Sequence, residues 1–213
     1  MRTGRFITFE GPEGSGKSTQ ARRLVARLRE MGAEVVHVRE PGGTPTGEAI
    51  RRILQHDEAG EPLAHETELF LFAASRAQLV RRVILPALER GAVVVCDRFA
   101  DSTTAYQGFG RGLPMDALQT IRALAVDGAE PDLTLLLDIP VALGFERVRS
   151  RQQDLFEGVD RIEREELAFH ERVREGYLQL ARENPRRFRR IDASRDPEQV
   201  AVEVWEAVQD VLR

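Results

Sequence analysis

Eight consecutive residues, Gly11-Pro12-Glu13-Gly14-Ser15-Gly16-Lys17-Ser18, carry the clearest chemistry in the chain. Their spacing is GxxxxGK[ST], and each fixed position answers a need of phosphate binding. Gly11, Gly14 and Gly16 let backbone N–H groups approach phosphate oxygens closely. The N-terminus of a following helix adds partial positive charge, Lys17 reaches for a phosphoryl group, and Ser18 is placed for Mg2+. Ser15 and Thr19 complete the expected contacts with a nucleoside triphosphate. Lysine and arginine together number 31, and Lys17 is the sole lysine. A chain so biased toward arginine keeps lysine where a compact ammonium must fit among phosphate oxygens.

A second carboxylate-bearing position is Asp97, which closes the apolar run Ala92–Cys96 and precedes Arg98. A carboxylate at the carboxyl edge of a buried strand beside such a loop suits a metal ion. Asp138, after Leu133–Leu137, competes for that role or caps a helix, and Asp97 is preferred. Arginines at loop edges (Arg39, Arg51, Arg76, Arg98 and the row Arg147-x-Arg149-x-Arg151) offer charge to hold a phosphorylated acceptor and to offset charge developing in transfer.

These residues need a frame, and the pattern supplies one of alternating strands and helices. Strands are predicted at Arg5–Glu10, Glu34–Val38, Ala92–Cys96, Leu133–Asp138 and Phe188–Asp192. Helices are predicted at Lys17–Met31, Pro45–Gln55, Glu66–Arg90, near Ser102–Gln107, and at Met115–Asp127, Val141–Arg151, Glu163–Glu183 and Pro197–Leu212. Continuous apolar strands spaced by helices imply a parallel sheet covered on both faces, an α/β/α three-layer arrangement. The 213 residues suit a single domain without a linker or repeat. The least patterned stretch, Gln152–Val159, is a candidate mobile lid, with lid function spread over about 147–162.

Composition narrows the partners. A formal net charge of −4 argues against a nucleic-acid binder, and no apolar run approaches a membrane span. The basic cluster Arg186–Arg190 is expected to be a solvated surface. One cysteine, Cys96, excludes an internal disulfide and favours a reducing, cytoplasmic setting. His37, His56, His65 and His170 have no metal-ligand spacing, and Cys96 and Trp205 read as packing residues.

Within the phosphate-binding-loop proteins, a guanine-specific switch needs an NKxD motif, which a chain with no second lysine cannot contain. A motor ATPase places glutamate directly after its strand-end aspartate, whereas Asp97 is followed by arginine and Asp138 by isoleucine. A kinase for small molecules fits better. Four further segments make this specific: Arg39-Glu40-Pro41-Gly42-Gly43-Thr44, Asp97-Arg98-Phe99-x-x-Ser102, Ala105-Tyr106-Gln107-Gly108 and Asp160-Arg161-x-Glu163. In this order they resemble the bacterial thymidylate kinases over nearly the whole chain.

The resemblance implies a P-loop nucleoside-monophosphate-kinase fold with a five-stranded sheet and a homodimer. It also implies Mg2+-dependent transfer of the γ-phosphoryl group of ATP to dTMP, and it assigns roles. Phe72 stacks on thymine and Arg76, four residues on, donates to a base carbonyl, which suits an arginine with donors only. Arg98 and Arg51 clamp the acceptor phosphate. Arg39 and Glu40 belong to the site, Glu40 either in the metal shell or orienting an arginine. Thr103, Tyr106 and Gln107 contact the base and wall off the sugar, and Glu13 accepts from the sugar 3′-hydroxyl. Arg147 and Ser194 lie near adenine. Because Pro12, Glu13, Gly14 and Ser15 bring no basic residue into the loop, the lid must supply transition-state charge, through Arg151 first and Arg149 second.

Overall fold

A computed structural model describes residues 3–56, 61–155 and 161–212, with the side chains of 151–155 left aside. Five strands, β1 (Arg5–Glu10), β2 (Val35–Arg39), β3 (Val93–Asp97), β4 (Leu133–Asp138) and β5 (Phe188–Asp192), form one parallel sheet in the order β2-β3-β1-β4-β5. Each predicted strand is present to within one residue at either end. Alternation on β1 divides the core. Ile7 and Phe9 pack with α1 (Lys17–Glu30) and α9 (Pro197–Leu212) on one face, and Phe6 packs with Leu79, Ile84 and Leu88 on the other. The central strands are buried on both faces, as their unbroken apolar runs require.

Between β2 and β3 the chain forms α2 (Pro45–Gln55), then α3 (His65–Leu79), a π-helical turn Val80–Ile84, and α4 (Leu85–Glu89). The predicted helix Glu66–Arg90 thus runs through Pro86. A proline has no N–H and crowds the carbonyl four residues back, and the widened turn just before it, closed by Leu85 N–H on Val80 O, absorbs that misfit. Beyond β3 lie α5 (Ala100–Thr103), a second π-helical segment Thr104–Gly110, and α6 (Met115–Val126).

After β4, α7 (Val141–Leu155) extends four residues past the predicted end at Arg151. Gln152–Leu155 of the candidate lid are therefore helical. The rest of the expected lid, residues 156–160, and the Arg151 side chain lie outside the described residues. α8 (Leu167–Glu183) starts four residues later than predicted. Residues 161–166 form turns instead, with Arg161 fastened to Leu54 O at 3.2 Å and to the carboxylate of Glu68. The Arg186–Arg190 cluster is not simply a solvated surface: Arg187 pairs with buried Asp101 (2.5 Å) and Arg190 with Asp138 (2.7 Å).

Candidate active site

The site forms outside the carboxyl ends of the strands, the usual place for a ligand in an open α/β sheet. Residues Gly11–Gly16 bridge β1 and α1. Gly11, Gly14 and Gly16 all have positive φ (141°, 70° and 86°), so the loop's curvature depends on glycine. Gly16, at the helix N-terminus, has open space where a Cβ would stand. Gly14 has none, because its Cβ would lie 2.1 Å from Gly144 O on α7. The loop and α7 thus meet backbone to backbone.

Lys17 is folded back over the loop, its Nζ donating to Pro12 O (2.8 Å), Gly11 O (3.0 Å) and Ser15 Oγ (3.2 Å). Burial, helped by the nearby Arg98 charge, lowers its pKa to about 8. The Ser18 hydroxyl donates to Asp97 Oδ2, so the two candidate metal ligands converge. Asp138 is differently used: Arg174 and Arg190 bind its carboxylate in a separate depression and hold its pKa below the usual range against the opposing effect of burial.

One cavity of roughly 590 Å³ joins this loop to the rest of the predicted site. Its lining includes Glu13, Gly14, Gly16, Lys17, Ser18 and Thr19 on the loop side, and Arg39, Glu40, Arg51, Phe72, Thr103, Tyr106 and Gln107 on the other. Asp97 and Arg98 lie between them. Arg98 has φ 68°, a left-handed conformation unusual for a residue with a side chain. It points at the loop, donating to Glu13 Oε1 (2.6 Å), Gly11 O (3.2 Å) and Tyr177 Oη (3.2 Å). Glu13 Oε1 also accepts from the Tyr106 hydroxyl (2.8 Å). Burial pushes the Glu13 carboxyl up, but Arg98, Lys17 and Tyr106 more than reverse this and hold it at about 2. Glu13 is therefore an ionised acceptor at the junction of the two halves.

Arg51 donates to Pro41 O (3.0 Å), and Arg39 pairs with Glu48 (3.0 Å), both at the cavity wall. Phe72 faces the cavity while Arg76 lies one layer behind, 2% exposed. Arg76 donates Nε to Glu40 Oε2 (2.8 Å), Nη1 to Thr103 Oγ1 (2.9 Å) and Nη2 to Phe99 O (3.1 Å). Of the two alternatives for Glu40, the geometry has it orienting this arginine. Its other oxygen, Oε1, is buried without a hydrogen-bond partner, and burial raises its pKa in spite of Arg76. Thr103 closes α5, and Tyr106 and Gln107 lie in the widened turns Thr104–Gly110; all three face the same cavity.

On α7, Arg147 donates to Ala193 O (2.8 Å) and Ser194 O (3.2 Å), which joins this helix to the loop after β5. Arg149 is exposed, and among the described residues its Nε donates within its own helix, to Phe145 O (3.5 Å). Sequence reasoning missed several lining residues: Arg22, Leu54, Gln55, Ser102, Ile162 and Glu163. Ser102 and Glu163 stand inside motifs recognised in the sequence, so a signal for them existed. Arg22 and Leu54 sit in ordinary helical patterns and gave none.

Comparison with known proteins agrees with this geometry. The family model described as Thymidylate kinase matches residues 9–204. The thymidylate kinase of Deinococcus radiodurans is 50% identical over 211 residues, covering 99% of this chain and 98% of that protein. The one from Thermomicrobium roseum is 51% identical over 208 residues, covering 98% and 96%. The crystal structure of thymidylate kinase from Ehrlichia chaffeensis superimposes with a TM-score of 0.77 at 34% identity, over 97% of this chain and 98% of that one. On loop, sheet order, cavity and relatives alike, the chain belongs to the thymidylate kinase family.

Proposed function

We propose that the enzyme transfers the γ-phosphoryl group of ATP to the 5′-phosphate of dTMP. A phosphate oxygen of dTMP attacks the γ-phosphorus, the bond to the β,γ-bridging oxygen breaks, and dTDP and ADP leave. The observation that carries this reading is the single cavity in which Arg98 and Glu13 stand between the phosphate-binding loop and the wall of Phe72, Thr103 and Gln107.

Each residue then has a task its chemistry suits. The loop N–H groups and Lys17 hold the triphosphate, Lys17 exchanging loop carbonyls for phosphate oxygens. Arg147 and Ser194 border the adenine. Ser18 and Asp97 offer a hydroxyl and a carboxylate side by side, a hard-oxygen pair that fits Mg2+ completed by phosphates and water. When bound, the ion neutralises phosphate charge. Arg98, Arg51 and Arg39 hold the acceptor phosphate, and Arg151 with Arg149 brings charge from the lid. Glu13, ionised, accepts from the sugar 3′-hydroxyl, and Tyr106 crowds a ribose 2′-hydroxyl. Thymine stacks on Phe72, with Gln107 and the second Nη1 hydrogen of Arg76 near its polar edge.

A homodimer in the cytoplasm belongs to the same reading. Phe70 of α3 and Leu124 of α6, 58% and 75% exposed on helices that pack together, offer apolar surface that a second copy would cover. No helix among the described residues is long and apolar enough to cross a membrane.

An ADP-release assay with dTMP, dUMP, dCMP, UMP and AMP tests the proposal. Turnover is expected with dTMP and more weakly with dUMP. A preference for any other acceptor, or ATP turnover indifferent to all five, refutes it.

A further inference from the structure

Glu68, the fourth residue of α3, belongs to no recognised motif, yet it is among the most enclosed of the described carboxylates, 1% exposed. It accepts from Gln107 Nε2 (2.8 Å), from Arg111 Nη2 (3.1 Å) and Nε (3.3 Å), and from Arg161 Nη2. Arg111 is itself held by Glu165 at 2.6 Å. Burial works against the charge of Glu68, but these hydrogen bonds and the two guanidinium charges prevail and keep it ionised. A buried ion-pair cluster adds little net stability over apolar packing of the same volume, so its presence invites another explanation.

We infer that Glu68 is a positioning residue for base discrimination, holding the Gln107 side chain so that its amide oxygen, not its nitrogen, meets the pyrimidine ring. The inference rests on the proposed function. An ionised carboxylate only accepts hydrogen bonds, whereas the two ends of a glutamine amide are nearly equal in shape and opposite in role. Beside Glu68, the NH2 end is therefore compelled to turn inward. Gln107 lines the cavity and Glu68 does not, so the carbonyl oxygen is the end offered to a ligand.

That choice reads one atom. Ring nitrogen N3 carries a hydrogen in thymine and uracil and a lone pair in cytosine. An amide oxygen accepts from the first and repels the second, and a reversed amide would do the opposite. Glu68 thus selects against cytosine without touching the base. Arg111 and Arg161 serve the selection by keeping Glu68 charged.

The test is steady-state kinetics of Glu68→Gln with dTMP, dUMP and dCMP at saturating ATP and Mg2+. A neutral amide at 68 pairs with Gln107 in either orientation. The preference in kcat/KM for dTMP over dCMP is expected to fall about tenfold or more, the scale of one misdirected buried hydrogen bond. The change should lie chiefly in KM. Glu165→Gln, which cuts the other partner of Arg111 and leaves Glu68 on Gln107, should keep the wild-type ratio. If Glu68→Gln alone does not fold because two cations lose their partner, the double variant Glu68→Gln, Arg111→Gln removes one of them and is read in the same way. An equal loss for all three acceptors, with the ratio intact, overturns the inference and leaves the thymidylate kinase reading standing. Wild-type enzyme that does not prefer dTMP to dCMP overturns that reading instead.

Discussion

Gly144→Ala separates two opposite expectations for a glycine in α7. On helix propensity alone, alanine in the interior of α7 should gain about 1 kcal/mol and raise Tm by roughly 2–4 °C in a chain of this size. The surroundings say otherwise. A Cβ at 144 would lie 2.3 Å from Glu13 O, a backbone atom of the phosphate-binding loop that cannot swing aside. An ordinary contact begins near 3.4 Å, so loop and helix must part by about 1 Å. The approach is as tight from the loop side, where a Cβ at Gly14 would lie 2.1 Å from Gly144 O. A displacement of about 1 Å in a group that positions a reacting phosphoryl costs on the order of 10²-fold in rate. We expect kcat for dTMP and ATP to fall on that scale in a coupled ADP-release assay, without the gain in Tm. A variant that melts higher and turns over like wild type would show that the close approach does not position the loop.

Lys17, with a pKa lowered to about 8 by burial and by Arg98, is a cation below that value and a neutral amine above it. The affinity of the free enzyme for a non-hydrolysable ATP analogue should therefore fall as pH rises from about 7.5 through 9.5, and a flat calorimetric profile over that range would refute the assignment. Arg151→Ala should lower kcat by about 10³ or more, as for other arginine fingers. Arg149→Ala should do much less, because two residues along an α-helix turn it some 200° from Arg147, whereas Arg151 lies one turn on along the same face. Equal losses in single-turnover rates would contradict that ordering.

The strand pattern and the phosphate-binding loop were legible in the sequence because their information is local. Continuous apolar runs such as Ala92–Cys96 declare a doubly covered strand, and GxxxxGK[ST] packs its chemistry into eight residues. Pairings over long separations left no trace. Glu68 sits in the helical pattern His-Glu-Thr-Glu-Leu, where a carboxylate reads as solvated, and its partners Arg111 and Arg161 lie 43 and 93 residues away. Arg187 looked like surface charge because its partner Asp101 is 86 residues distant. Gly144 stands inside a helical pattern, and nothing nearby in sequence reveals that another backbone presses on it.

The placement of Arg98 shows how such distant pairings serve the chemistry proposed here. A non-glycine residue at φ 68° carries strain of about 1–3 kcal/mol and persists only where its surroundings over-determine it. Arg98 N–H is fixed to Phe9 O at 2.9 Å. The next turn is clamped by Glu10, whose buried carboxylate accepts from Phe99 N (2.8 Å), Ser102 Oγ (2.6 Å) and Tyr177 Oη (3.0 Å). Burial, with Asp101 adding repulsion, raises its pKa to about 7. The main chain of Glu10 leads directly into Gly11, so one residue anchors both the phosphate-binding loop and the turn that carries Arg98. In the proposed roles, donor and acceptor phosphates would be registered to each other by β1 itself rather than by two independently moving loops. For a transfer whose catalysis is mostly positioning and charge stabilisation, a fixed distance between Arg98 and the phosphate-binding loop matters more than any single contact either of them makes.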